Sequence, residues 1–193
     1  MTLIQLVKPN PSHIASYVQA LKSGWHDMPT GTAPESVLNK IRELEEDPSE
    51  HLSLFDDPNA RAQPYLLPDK TVAYAVPSLR RWIWNQATHE YCGTLSLRWQ
   101  KNTTELPPHL MGHIGYCVAP GFQNKGYASF ALGEMLKLAH QQGLPFVYIV
   151  TNTDNLASIR VIERNAGELV ETFTKPAMYG TTLAHRYKLK TGP

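Results

Sequence analysis

The chain has few cysteines, almost no net charge and no long apolar run, and each shortage argues against a class of protein. Cys92 and Cys117 are the only cysteines among 193 residues and fit no metal-ligand pattern, so we expect reduced thiols and no metal site. Eighteen basic and seventeen acidic side chains give a formal net charge of +1, which argues against nucleic acid or a membrane surface as a partner. No apolar stretch approaches the roughly 20 residues of a membrane helix, and the N-terminus lacks a signal-peptide pattern, so we expect a cytoplasmic protein.

The sequence does contain alternating strand and helix patterns, which are typical of a mixed α/β fold. We expect a single domain over residues 1–193, with about six or seven strands and flanking helices. Residues 48–78 hold several prolines and predict an irregular loop, which is either a lid on the substrate side or an insertion packed on the surface. Strands are predicted over 3–8, 79–86, 91–99, 113–118, 146–151, 168–174 and 182–190, and helices between 10 and 24, 34 and 46, 126 and 139, and 155 and 167.

The turn at residues 123–128 is the stretch most suited to chemistry. It follows the predicted strand 113–118 and opens a helix whose apolar residues recur at helical spacing. Gly126 and Ala128 leave backbone N–H groups unshielded at a helix N-terminus, where a partial positive charge favours phosphate, and Lys125 adds a formal charge. Many α/β proteins use such a turn only for packing, and the common glycine-rich phosphate signatures are absent.

Two motifs sharpen this interpretation. Residues 118–128 read V-x-P-x-x-Q-x-x-G-x-A, which resembles motif A of the GNAT superfamily of acetyl-CoA-dependent N-acetyltransferases. Residues 155–158 then read N-x-x-S and open a helix that ends at residues 165–167, which resembles a second family motif at the expected distance. The resemblance covers about residues 90–190 and extends to a bacterial subgroup of uncharacterised predicted acetyltransferases. It implies the GNAT-like acyl-CoA N-acyltransferase fold, with acetyl-CoA as cosubstrate and no metal.

The resemblance also implies where acetyl-CoA binds. The family holds the cofactor diphosphate mainly by backbone N–H groups, and it splays the strand before the turn from its neighbour so that backbone groups hydrogen-bond the pantetheine arm and the acetyl oxygen. Asn155 matches a position that binds the pantetheine arm, and it is also suited to cap its helix. The implied cofactor-binding residues are therefore Cys117, Val118, Gln123, Asn124, Lys125, Gly126, Tyr127, Ala128, Asn155 and Ser158.

The acid and base depart from the family pattern. Many members place an ionisable residue on the central strand where this chain has Gly112 and Ile114, and a tyrosine acid in the second helix where it has Ile162. His113 has a pKa suited to general-base work but is predicted to face away, in which case it is a core histidine. Tyr116 and Tyr187 are the substitute acids, and an ordered water or proximity alone is the alternative.

The acceptor is less defined. Trp25 lies in a loop that often borders the acceptor site in this family, and it is equally suited to anchor the core. Arg98 is placed to bind a carboxylate of the acceptor or to form an ordinary surface ion pair. We therefore expect transfer of acetyl to a small-molecule or peptide amine by direct attack in a ternary complex. The alternative is a non-catalytic acyl-CoA-binding or sensing domain, and a homodimer stays open.

Overall fold

The computed structural model describes residues 3–27, 33–67 and 69–192. Within these ranges the strands and helices follow the order predicted from the sequence, with additional short elements. The strands are β1 (Ile4–Val7), β2 (Asp56–Asp57), β3 (Tyr65–Leu66), β4 (Val72–Ala73), β5 (Ser78–Asn85), β6 (Glu90–Arg98), β7 (Ile114–Val118), β8 (Phe146–Asn152), β9 (Glu168–Thr174) and β10 (Leu183–Lys190). The helices are α1 (Ile14–Lys22), α2 (Pro34–Glu46), α3 (Pro48–Ser53), α4 (Tyr127–Gln141) and α5 (Leu156–Arg164).

The strands form two main sheets and a small hairpin. The first sheet has the order β1-β5-β6-β7. Strand β2 pairs with the first two residues of β5, on the edge of β5 whose other end pairs with β1. The second sheet has the order β8-β10-β9. Strands β3 and β4 pair with each other. The seven longer strands are those predicted, and the mixed α/β prediction is confirmed.

Helices cover both faces of the first sheet. Side chains alternate along a strand, so Trp82 of β5 points to the face covered by α1 and α2, and Ile83 points to the face covered by α4. The cluster under α1 and α2 is rich in aromatic rings, and Tyr17 lies 4.5 Å from Trp82 between ring centroids. Under α4 the cluster is aliphatic and includes Leu132 and Met135. The two faces of β7 therefore lie in different surroundings.

The segment 48–78 is more ordered than the irregular loop predicted for it. Asp47 accepts a hydrogen bond from the Ser49 N–H at 2.8 Å and caps α3, with Pro48 at its first position. Phe55 then packs in the cluster under α1 and α2, and Asp56 forms an ion pair with Arg81. Pro48 therefore both ends α2 and begins α3. The sequence prediction treated this proline only as the end of a helix.

The two main sheets meet at His113. Its N–H donates to the Tyr148 carbonyl at 2.7 Å, and the Tyr148 N–H donates to His113 Nδ1 at 3.0 Å. The His113 side chain thus takes the place of a backbone acceptor for Tyr148. Within the described residues, β7 and β8 are not paired by backbone hydrogen bonds as strands of one sheet. Farther along β7, the Tyr116 hydroxyl donates to the Ser158 carbonyl in α5, which follows β8. Both strands therefore run in the same direction, as predicted.

Candidate active site

The turn after β7 holds unused backbone donors. Gly126 occupies the position before α4 with φ of +79°, a conformation that glycine adopts without strain. A Cβ built on Gly126 meets no atom within 4 Å, so the space above the turn is open. Phe130 is the first residue whose N–H bonds to the turn, at 3.1 Å to the Gly126 carbonyl. The preceding N–H groups at residues 126–128 find no backbone acceptor in the part of the chain that is described.

Side-chain contacts hold this turn in shape. The Gln123 side-chain amide donates to the Val118 carbonyl at 3.0 Å, which ties the turn to the end of β7. Asn124 adopts φ of +59°, in the left-handed region that asparagine tolerates. Phe122 stacks on Tyr127 with centroids 6.3 Å apart, and Lys125 Nζ lies 5.5 Å from the Phe122 ring. The predicted diphosphate residues therefore form one preorganised turn with a positive charge beside it.

The edge of β7 that faces β8 carries further free backbone groups. The His113 carbonyl accepts from Arg98, and the Ala119 N–H donates to Cys92, so these alternate residues bond to β6. Because partners alternate along an antiparallel strand, the backbone groups of Cys117 also point to β6. Those of Tyr116 and Val118 point to the gap between β7 and β8, where the Val118 carbonyl is bonded to Gln123 and the other groups have no backbone partner among the described residues. Cys117 therefore lacks the free backbone groups that its predicted cofactor role requires.

Helix α5 closes the far side of the gap. Asn155 caps α5, and its Oδ1 accepts from the Ser158 N–H at 3.1 Å. The Tyr116 hydroxyl reaches across from β7 to the Ser158 carbonyl at 3.2 Å. Burial raises the pKa of Tyr116, so its hydroxyl keeps its proton at neutral pH. The structure thus brings Tyr116, Val118, Asn155 and Ser158 together at this gap.

Two other predicted residues lie elsewhere. Tyr187 sits in the middle of β10 with its ring in the aliphatic core, and it packs against His185 rather than any residue of the turn. Trp25 packs on the aromatic cluster with its ring 5.9 Å from Tyr91. Neither contact connects these side chains to Tyr116 or Gly126.

His113 is enclosed. Its relative exposure is 0%, Nδ1 accepts the Tyr148 N–H, and Nε2 is buried without a partner. Burial lowers the pKa of His113 to about 4. His113 therefore links the two sheets as a neutral, buried side chain, and its ring does not reach the surface of the gap. The neighbouring family position is also blocked, since a Cβ on Gly112 would lie 3.0 Å from the Tyr148 carbonyl oxygen.

A polar network that no sequence motif indicates lies on the α1/α2 face of β7. The Tyr17 hydroxyl donates to Asp27 at 2.6 Å, and Lys40 Nζ lies 3.5 Å from the same carboxylate. Burial opposes ionisation of Asp27, but Lys40 and the Tyr17 hydrogen bond together hold its pKa below the ordinary value. No spacing in the sequence links these three residues, because they meet only when α1, its following loop and α2 pack together.

Cys117 lies close to this network. Burial raises the pKa of its thiol to about 12, with the Asp27 charge acting in the same direction. The thiol is therefore protonated and inert as a nucleophile at neutral pH.

Arg98 points to the same face of the sheet as Cys117. One of its terminal nitrogens would lie 3.2 Å from a Cβ on Gly115, so the missing side chain at 115 leaves the guanidinium its space. Arg98 Nε is buried without a hydrogen-bond partner, and no ion pair involves Arg98 among the described residues. The surface ion pair considered from the sequence is thus not formed there.

A surface cavity of about 580 Å³ lies along α1 and the end of α2, on the far side of the aromatic cluster. Its lining is mostly apolar, with Ile14, Val18 and Leu44, and Lys22 pairs with Glu45 at its rim. None of the turn, gap or Arg98 residues contributes to it, so we place the site at β7.

In the described ranges no group of three or more histidine, cysteine or acidic side chains is arranged to hold a metal ion. None of the helices described there has the length and apolar character needed to cross a membrane.

Comparison with known proteins identifies the arrangement. A family model described as an acetyltransferase (GNAT) domain matches residues 37–167. No curated protein matches the chain. Among solved structures, the ribosomal L7/L12 α-N-protein acetyltransferase RimL in complex with coenzyme A is 18% identical, with a TM-score of 0.60 over 98% of this chain and 95% of that chain.

Two further structures are similar at the same level. The microcin C7 self-immunity acetyltransferase MccE, in complex with acetyl-CoA and AMP, is 14% identical, with a TM-score of 0.61 over 98% of this chain and 93% of that chain. A ribosomal-protein-S5-alanine acetyltransferase from Vibrio fischeri is 17% identical, with a TM-score of 0.56 over 97% of this chain and 92% of that chain. At these identities the likeness shows the fold.

Proposed function

The chain belongs to the GNAT acetyltransferase family, and we propose that it moves the acetyl group of acetyl-CoA to a primary amine by direct attack in a ternary complex. One observation carries the proposal: an open turn of free N–H groups at Gly126 adjoins the unpaired edge of β7. RimL and MccE, whose folds are similar, are in complex with coenzyme A and acetyl-CoA respectively.

The turn fits the cofactor diphosphate. Free N–H groups at a helix N-terminus stabilise phosphate oxygens, and Lys125 adds a charge that Phe122 helps to hold in place. The absence of a Cβ at Gly126 lets a ligand approach the backbone. Gln123 is occupied with Val118, so its part is to shape the turn, while Asn124, Lys125, Gly126, Tyr127 and Ala128 supply the N–H groups.

The edge of β7 fits the pantetheine arm. The backbone N–H and carbonyl of Tyr116 and the N–H of Val118 hydrogen-bond an extended amide chain in the manner of an added strand, and Asn155 contributes from the opposite side. Acetyl-CoA supplies an activated thioester. The N–H groups on this edge are fixed before the reaction, and such preorganised donors stabilise the negative charge that develops on the acetyl oxygen.

Tyr116 is the acid in this proposal. Its hydroxyl lies at the gap, is protonated at neutral pH and is bonded only to a carbonyl that an incoming ligand is able to replace. It donates its proton to the departing thiolate, a role typically worth about 10²–10⁴-fold in rate. Tyr187 has no comparable position.

Deprotonation of the acceptor follows from the charge of the α1/α2 face. Lys40, Arg80 and Arg98 lie on this face, where the Asp27 carboxylate is paired with Lys40 and the Asp57 carboxylate with Arg61. Nearby positive charge disfavours an ammonium ion and so lowers the pKa of a bound amine. The neutral amine then attacks without a dedicated base, the C–S bond breaks as Tyr116 protonates the thiolate, and the nitrogen releases its surplus proton to solvent, from which Tyr116 is reprotonated.

The enclosure of His113 favours a second candidate, an acyl-CoA-binding or sensing domain without turnover.

Two solved relatives are ribosomal-protein acetyltransferases, and we infer that protein and small-molecule amines are both candidates as acceptor. Cytoplasmic location and a homodimer stay predictions.

Calorimetric titration of coenzyme A and acetyl-CoA tests the proposal. Wild type is compared with Gly126→Trp and with a matched control, Gly143→Trp. Gly143 ends α4 with φ of +81° and equally open space, so both variants carry the same backbone strain at opposite ends of one helix. We expect binding to wild type and Gly143→Trp, and at least a 30-fold loss in Gly126→Trp.

Absence of binding to wild type, or equal loss in both variants, would overturn the cofactor site. If binding holds, release of free thiol with a panel of amines separates the two candidates. Acceptor-dependent release establishes the transferase, and none across the panel favours the binding domain.

A further inference from the structure

Arg98 is a half-buried cation that has no anionic partner among the described residues. Its Nε is enclosed without a partner, and no side-chain hydrogen bond or ion pair joins Arg98 to the described residues. Because Nε alone of its nitrogens is both enclosed and unpartnered, the two terminal nitrogens keep contact with solvent. Arginine does not deprotonate in proteins, so this charge persists. Its open side is the planar pair of donors that binds carboxylates in a bidentate manner.

Among the described residues, no unpaired carboxylate acts on Arg98: Asp57, which lies on the same face opposite Ser78, is paired with Arg61. The charged or titratable groups that act on it are Arg80, Tyr65 and Tyr179, of which the first repels it. Asp69 acts on Tyr179 but is exposed and does not act on Arg98. Asp27 is already paired with Lys40. A second basic residue near an uncompensated guanidinium is an arrangement typical of an anion site.

The anion does not come from the cofactor diphosphate in the proposed complex. Arg98 and Gly115 lie on the α1/α2 face of the sheet, whereas the Gly126 turn opens α4 on the other face. Gly115 lies in the first half of β7, and the turn follows the end of that strand. Cys117 lies two residues after Gly115 on the same face of β7 and is closer along the strand to the turn.

We propose that Arg98 binds the carboxylate of the acceptor, and that the acceptors are therefore amines that also carry a carboxylate, such as amino acids and short peptides. The inference rests on the proposed acetyl transfer and names the substrate class of that site. The small residue at 115 leaves the guanidinium in place, and Tyr65 and Tyr179 lie around it. Tyr65 comes from the β3–β4 hairpin, so the segment 48–78 contributes to acceptor selection.

Thermal unfolding with a product panel tests this inference without requiring turnover. The probes are N-acetyl-L-amino acids and their C-terminal amides, each added to the protein with and without coenzyme A. The amides of the acidic members retain a side-chain carboxylate and separate that source from the α-carboxylate. We expect at least one acid to raise the Tm by about 3 °C at ten times its Kd, and its uncharged counterpart to have no effect.

Three variants make the result specific to Arg98. Arg98→Gln removes the charge and abolishes the shift; Arg98→Lys keeps the charge but loses the planar fork, and reduces the shift by at least half. Arg160→Gln, an exposed arginine on α5, is the control and keeps the full shift. If Arg98→Gln does not fold, Arg98→Lys alone decides.

The inference is overturned if no acid stabilises wild type in either condition, if acid and uncharged counterpart act equally, or if the shift survives in the Arg98 variants. Acid-dependent stabilisation in a protein that fails to bind coenzyme A would retain the anion site and discard the transferase. Binding of coenzyme A without any acid-dependent shift would do the reverse.

Discussion

Tyr116 is the single side chain on which the proposed chemistry depends most. It faces the aliphatic side of β7, yet its hydroxyl reaches α5 at the gap between the sheets. The family position for a tyrosine acid holds Ile162, which is fully enclosed in the core. In our proposal, the Tyr116 hydroxyl on β7 supplies the acid that α5 lacks.

Tyr116→Phe is expected to lower kcat about 10²–10⁴-fold, because the departing thiolate loses its proton donor. Affinity for acetyl-CoA should change by less than about twofold, since the backbone donors are untouched. Steady-state kinetics and calorimetry measure the two quantities, with Tyr187→Phe as the control. Equal effects of both substitutions on kcat would remove Tyr116 from its proposed role.

His113 belongs to stability rather than to chemistry in our interpretation. Replacement by alanine leaves the Tyr148 N–H without its acceptor, and an unsatisfied buried donor costs about 1–3 kcal/mol of unfolding free energy. Urea unfolding at pH 7 measures the loss, and kcat of the folded variant should stay within about threefold of wild type. A large fall in kcat with unchanged stability would instead support the general-base prediction.

The stability lost on replacing His113 by alanine depends on pH in a direction that the pKa of His113 determines. Unfolded His113 takes up a proton near its ordinary value of 6.5, whereas the folded residue stays neutral until about pH 4. Unfolding therefore binds a proton between these values, and the stability that His113 gives is complete above pH 6.5 and lost as the pH falls towards 4. The difference between wild type and His113→Ala should accordingly be smaller at pH 5 than at pH 7. His51, whose pKa burial also lowers to about 4, contributes the same trend to both proteins.

At the scale of elements, α4 and its turn act as one unit. Gly126 starts the helix, Gln123 ties the turn to β7, and the Phe122–Tyr127 stack gives Lys125 a surface to rest on. Charge is thereby added to a helix terminus that is already attractive to anions.

Lys125→Ala is expected to weaken coenzyme A binding about three- to tenfold at low ionic strength, because a charge next to the helix terminus is lost. The effect should shrink in 0.5 M salt, since exposed charges are screened. Lys137→Ala is the matched control on the same helix, where Lys137 pairs with Glu134 at 2.6 Å. Calorimetry at both salt concentrations checks the prediction, and an equal loss in both variants would contradict it.

At the scale of the whole molecule, the decisive feature is that two sheets touch at one histidine and then separate. This leaves a polar strand edge inside a folded protein, which is normally avoided because unpaired N–H groups are costly when buried. In our proposal, the cofactor pairs with this edge.

Hydrogen exchange followed by NMR tests this edge directly. Without ligand, the amides of Tyr116 and Val118 should exchange faster than the amide of Cys117, which bonds to β6. Coenzyme A should slow the first two at least tenfold and leave Cys117 almost unchanged. Uniform protection along β7 before any ligand is added would contradict the open edge.

The long elements of the fold follow from local pattern. Alternation and helical periodicity predicted the seven longer strands and the helices around them, because these patterns depend on neighbours in the sequence. The short elements within 48–78 lay beyond that approach: β2 and α3 are stabilised by Arg81 and Phe55 through contacts that form only in the folded chain. The predicted GNAT family was likewise recognisable from two contiguous motifs.

The sequence by itself determined the turn at residues 123–128, since residues 118–128 form it with contacts among themselves. Only the tertiary structure decided which backbone groups of β7 are free, where His113 points and which side chains share the α1/α2 face. These features depend on strands and helices that are far apart in the chain. His113 hydrogen-bonds to β8, and the backbone of Cys117 pairs with β6. Helices α1 and α2 bring Tyr17 and Lys40 to Asp27. Local periodicity carries no information on such meetings, because burial and hydrogen-bond partners are properties of packed elements rather than of spacing.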